Sequence, residues 1–116
     1  MAKTNERPKP LVITDADTSE VYTLDFDRDA VRFAEQRGFR VMSVSETPET
    51  SVADLFFYAF RKNHKGVARA NADKLLDALG GLLPEEVARL QELYASSINS
   101  LNVDGERKNS RLTVEL

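Results

Sequence analysis

Val52-Ala53-Asp54-Leu55-Phe56-Phe57-Tyr58-Ala59-Phe60 carries the clearest periodic signal in the chain. Val52, Leu55, Phe56, Ala59 and Phe60 fall at i, i+3, i+4, i+7 and i+8, the spacing of an apolar stripe on one helix face. The segment reads as a helix capped by Thr50 or Ser51, with Ser51 and Asp54 a loose capping-box pair. Arg61, Lys62, His64 and Lys65 follow at its end, where cations complement the helix dipole, and Gly66 stops it. Phe57 and Tyr58 are surplus to one buried face. They lie on its two flanks, which leaves two readings: a central helix wrapped on several sides, or a flank that meets another chain.

Further along, Ala72, Leu75, Leu76 and Leu79 predict a helix over about 69–79, poorly capped by Ala68 and ended by Gly80-Gly81. Pro84 opens a fourth helix with Glu85 and Glu86 at its positive end. Val87, Leu90, Tyr94 and Ile98 form its stripe, with Leu93 beside it. Upstream, Leu11 to Thr14 and the alternating Val21 to Phe26 flank a turn-rich Asp15 to Glu20, which reads as a β-hairpin. Tyr22, Leu24 and Phe26 share its buried face, while Val21, Thr23 and Asp25 point the other way. Asp27 caps a helix to about Arg37, stapled by Phe26 and Val31 and closed by Gly38. Phe39 to Glu49 is expected as a packed loop, with a third short strand through Val41, Met42 and Val44 as the alternative.

The fold class is therefore α+β, mainly α: an N-terminal β-hairpin packed on a bundle of about four short helices. Residues 1–10 read as a flexible lead-in, 11–101 as a single globular domain and 102–116 as a loose C-terminal tail. With 116 residues, 41% hydrophobic and 30% charged, the chain fits one domain with a modest core. It contains no cysteine, which excludes disulfides and thiolate chemistry and fits a reducing compartment. No apolar run approaches bilayer-spanning length, so no membrane partner is expected and the chain reads as cytosolic.

Few residues invite a chemical role. His64 is the single histidine and has neither an orienting partner nor a pocket in its neighbourhood, so it reads as an exposed helix-end residue. Asp15, Asp17 and Glu20 fail the calcium-loop spacing, because Glu20 and Phe26 stand where glycine and glutamate are required. Asp25, Asp27 and Asp29 alternate across the strand-to-helix junction and are not expected to converge. Gly80-Gly81 lacks the lysine of a phosphate loop. No catalytic, metal or cofactor residue is assigned, and the chain is expected not to be an enzyme. Arg61, Lys62, Lys65 and Arg69 cluster at a helix end rather than along a recognition helix, and the net charge is −3, so nucleic acid is not an expected partner. Phe57, Tyr58, Arg61 and Lys62 are the candidate protein-binding residues.

Several segments together resemble a known family. Val21 to Phe26, Glu35-Gln36-Arg37-Gly38-Phe39, Leu55-Phe56-Phe57-Tyr58-Ala59-Phe60-Arg61-Lys62-Asn63-His64 and the stretch from Leu75 to Tyr94 look, in this order, like tail assembly chaperones of long-tailed bacteriophages. Ala68 stands where that family usually carries a Thr or Ser cap. The resemblance implies a non-enzymatic protein of the host cytoplasm, absent from the mature virion. It implies binding to the tape measure protein, a long apolar helical rod, which it keeps soluble while the major tail tube protein polymerises around it. Self-association is open. The alternatives are a structural virion component, such as a head–tail connector subunit, and a small phage DNA-binding regulator.

Overall fold

The computed structural model describes residues 7–99 and 115–116. It is an α+β fold, mainly α. Strands β1 (Leu11–Thr14) and β2 (Val21–Leu24) pair antiparallel, with Leu11 opposite Leu24 and Ile13 opposite Tyr22. The pleat turns these four inward and leaves Val12 and Val21 exposed. The turn between the strands is held by Asp15, whose carboxylate accepts the Asp17 N–H at 2.9 Å while its carbonyl accepts the Ser19 N–H at 2.7 Å. The expected alternation fails at the end of β2. The strand stops at Leu24, the chain bends toward the first helix, and Leu24, Asp25 and Phe26 are all buried.

Helix α1 (Arg28–Gln36) begins as read, with the Asp27 carboxylate accepting the Ala30 N–H at 2.8 Å. It ends with Gly38 at φ 90°, the Gly38 N–H on the Glu35 carbonyl and the Phe39 N–H on the Ala34 carbonyl. Residues 39–49 are neither strand nor simple loop: a one-turn helix, α2 (Ser43–Glu46), buries Val44. The helix number is thus five among the described residues rather than about four.

Helix α3 (Pro48–Tyr58) starts before the expected cap, because Pro48 sits at the first helical position, where its missing N–H costs nothing. Ser51 is not its cap. It is buried, and its hydroxyl lies 2.9 Å from those of Ser43 and Thr47, which ties α3 to α2. The helix also ends earlier than expected. After Tyr58 the chain continues in turns, so Arg61, Lys62, His64 and Lys65 lie beyond the last helical turn.

Helix α4 (Arg69–Leu79) has no side-chain cap at Ala68 and closes through Gly80 and Gly81, both left-handed. The Gly81 N–H reaches the Leu76 carbonyl at 3.1 Å. Helix α5 (Pro84–Asn99) starts at Pro84, and the Glu86 carboxylate reaches back to the Leu83 N–H at 2.8 Å, half of a capping box.

The core is aromatic and continuous. Phe26 meets Tyr94 edge-on at 5.1 Å between centroids, Tyr94 meets Phe39 at 5.6 Å, and Phe39 meets Tyr58 at 5.5 Å. A second row runs from Phe56 to Phe60 at 5.2 Å and on to Tyr22 at 5.7 Å. Each edge-to-face pair adds about 0.5–1.5 kcal/mol beyond its burial. Leu90, Leu93 and Tyr94 bring α5 onto α1 and α3 as their spacing predicts. The expected tail falls, for residues 102–114, outside the described residues; Glu115 and Leu116 are exposed.

Candidate functional site

The four residues singled out as protein-binding do not form one patch. Tyr58 is buried between Phe33 at 5.9 Å and Phe39, and burial pushes its hydroxyl pKa up. Phe57 is half-buried, tilted against Tyr58 at 5.4 Å. Arg61 crosses to α1, where its Nε donates to Asp29 at 3.2 Å and its guanidinium carbon sits 4.2 Å from the Phe33 ring centroid. Lys62 turns elsewhere, to Asp25.

What remains on this side of the molecule is a row of rings, Phe33–Tyr58–Phe57, roofed by arginines. Phe33 carries two guanidiniums, from Arg61 and from Arg37 at 3.8 Å. Phe57 has Arg69 at 5.5 Å, and Arg69 is held by Asp54 and Asp73, both at 3.0 Å. Each such cation–ring contact is worth only about 0.5–1 kcal/mol at an exposed site. The outer rings are thus covered by guanidiniums, two of which, those of Arg61 and Arg69, are also held by carboxylates. Phe33 and its arginines were missed in the sequence, where the spacing of Asp29, Phe33 and Arg37 at i, i+4 and i+8 was the available signal.

Asp25 corrects the expectation that it points away from the buried face of the hairpin; it does not converge with Asp27 or Asp29, which cap α1 and meet Arg61 respectively. It is buried at the end of β2, and its carboxylate accepts from Lys62 Nζ at 2.8 Å, Arg7 at 3.1 Å and the Phe26 N–H at 2.7 Å. Burial pushes this carboxyl upward, but the bonds from Arg7, Lys62 and Phe26 outweigh it and hold its pKa below the ordinary value. Arg7 also donates to the Phe26 carbonyl at 2.9 Å, and Arg89 on α5 reaches the Lys9 carbonyl at 3.0 Å. Residues 7–10, expected within a flexible lead-in, are therefore tied down; residues 1–6 lie outside the described residues.

His64 is not an exposed helix-end residue either. Its Nε2 accepts the Thr23 N–H at 2.9 Å, and its ring lies edge-on to Tyr22 at 5.5 Å. With Asn63 donating to the Thr23 carbonyl at 3.1 Å and Ala59 accepting the Asp25 N–H at 3.0 Å, the turn after α3 satisfies the outer side of β2. Accepting at Nε2 puts the ring proton on Nδ1. Beside His64 is an open cleft of about 640 Å³ lined by Glu20, Tyr22, Val67, Asn71, Lys74 and Leu75, with Gly66 at its edge. Glu20 at the rim accepts the Tyr22 hydroxyl at 2.7 Å, and this bond raises the Tyr22 pKa.

Over residues 1–116 the chain matches the family model described as a domain of unknown function, DUF5055. The chain belongs to this family. No curated protein and no solved structure matches it. In this DUF5055 domain, no three His, Asp or Glu side chains among the described residues are grouped to hold a metal ion, and no described helix is long and apolar enough to cross a membrane. Near the aromatic row Arg61 and Arg69 are engaged in ion pairs, as are Arg7 and Lys62 at Asp25.

Proposed function

We propose that this DUF5055 domain is a non-enzymatic binding protein that acts as a bacteriophage tail assembly chaperone for the tape measure protein. The observation that carries the reading is the Phe33–Tyr58–Phe57 row with its arginine covers. A chaperone for an apolar rod needs ring surface to offer the rod and must stay free of self-aggregation before it binds. Guanidiniums lying on Phe33 and Phe57 meet both needs: they shield the rings in the free protein and swing aside when an apolar helix arrives. Each contact need only be weak, because many copies on one rod reinforce one another. The resemblance in segment order supports the tape measure protein as the rod, the major tail tube protein as the subunit assembled around it, and the host cytoplasm as the place of work.

The DNA-binding alternative loses ground on the same geometry. Arg61, Lys62 and Arg69, three of the four clustered cations, each hold a carboxylate of this chain, which lowers their value for phosphate.

The test is co-expression with the tape measure protein of the same phage. The wild-type chain is expected to keep that protein in the soluble fraction and to co-purify with it. A wild-type chain that leaves the rod insoluble overturns the reading.

A further inference from the structure

We infer that the cleft beside His64 seats the carboxylate of an acidic side chain on a protein partner, with an apolar neighbour of that side chain resting on Val67 and Leu75. The inference rests on the binding-protein reading above and gives the partner a chemistry. Three residues that line the cleft carry a hydrogen-bond donor without an acceptor among the described residues: His64 at its Nδ1–H, Asn71 at its amide and Lys74 at its ammonium. The first is committed as a donor because Nε2 already accepts from Thr23. The cleft's own carboxylate, Glu20, is held by the Tyr22 hydroxyl at 2.7 Å and faces the Thr18 hydroxyl at 3.4 Å, and it makes no ion pair with Lys74. Donors on the walls and half-buried Val67 and Leu75 beside them match a group that is anionic at its tip and apolar next to it.

The charge count selects the kind of anion. Lys74 is the one cation in the lining and Glu20 the one anion, so the cleft has no surplus positive charge for a phosphate dianion; a singly charged carboxylate paired with Lys74 is the anion that it fits better. The openness of the cleft selects its source. Sites for free small molecules enclose most of the ligand surface. This one lies open to solvent between the hairpin, the turn after α3 and the outer side of α4, a shape suited to a side chain delivered on a larger body.

The probe is a fluorescein-labelled amphipathic helical peptide with leucines and glutamates on one face, compared with its Glu→Gln counterpart by fluorescence anisotropy on the full chain. The glutamate peptide is expected to bind about tenfold more tightly, the value of one charge-assisted hydrogen bond. Lys74→Gln, at an exposed position, should abolish that difference and leave the affinity for the glutamine peptide unchanged. Equal affinity of the wild-type chain for the two peptides overturns the inference, as does a Lys74→Gln loss that is the same for both, or no binding of either. Co-expression judges the wider reading separately: a wild-type complex with the tape measure protein that Lys74→Gln leaves intact sinks the cleft and spares the chaperone.

Discussion

His64 Nε2 accepts the backbone N–H of Thr23 at 2.9 Å, across a sequence separation of 41 residues. A side chain thereby does what a neighbouring strand does in a wider sheet. His64→Ala should leave that N–H without its partner at a cost of about 1–3 kcal/mol. The check is a chemical melt together with amide exchange at Thr23, which should accelerate in the variant. Unchanged exchange there would show that the imidazole is not what protects it.

Asp25 makes stability depend on acid. Its folded pKa is depressed by Arg7, Lys62 and the Phe26 N–H acting against burial. The stabilisation is therefore complete above the unfolded carboxylate value, about pH 4, and is lost as pH falls through the lower folded value. Denaturant midpoints measured in steps below about pH 4 should fall more steeply for wild type than for Asp25→Asn. Parallel profiles would exclude Asp25 as the acid-sensitive group.

Phe56 is fully buried on α3 and stacks edge-on with Phe60. Phe56→Ala should cost about 3–5 kcal/mol, the range for a large aromatic truncated in a core. A melting temperature equal to that of wild type would mean that the α3 stripe does not face the interior.

Phe57 and Tyr58 should separate binding from folding. Tyr58→Ser removes a buried ring between Phe33 and Phe39 and should destabilise by about 3 kcal/mol or more. Phe57 is half-buried at the edge of the row, so Phe57→Ser should melt close to wild type yet fail to hold the tape measure protein in solution. A folded Phe57→Ser that still co-purifies with that protein removes this ring from the docking surface.

The elements that the sequence disclosed are those whose local chemistry agrees with their packing. The Asp27 cap, Gly38, Gly80-Gly81 and Pro84 mark ends that backbone geometry requires, and α1, α4 and α5 follow from them. Period-2 alternation placed β1 and most of β2, but it could not show that the chain bends after Leu24 and buries Asp25. That burial depends on Arg7 and Lys62, which are 18 and 37 residues away and carry no local sign of their partner. His64 misled for the same reason: its partner is a backbone N–H on another element, and a backbone N–H has no letter in the sequence. Pro48 and Ser51 misled differently. Each has two legitimate roles: Pro48 can interrupt an element or, as here, open a helix, and Ser51 can cap one or, as here, meet the hydroxyls of Ser43 and Thr47.

The end of α3 and the turn after it do two jobs. Ala59 caps the helix, and together with Asn63 and His64 of the turn it occupies the outer side of the chain at Thr23 and Asp25. The end of α3 and the hairpin are therefore expected to open as one unit. If the last turn of α3 frays, β2 loses its border and exposes polar backbone in the same event. Hydrogen exchange along β2 should then track exchange at the end of α3 as denaturant is raised. The same border leaves an incoming strand no room to pair with Thr23, so the hairpin cannot be lengthened into a larger sheet from that side.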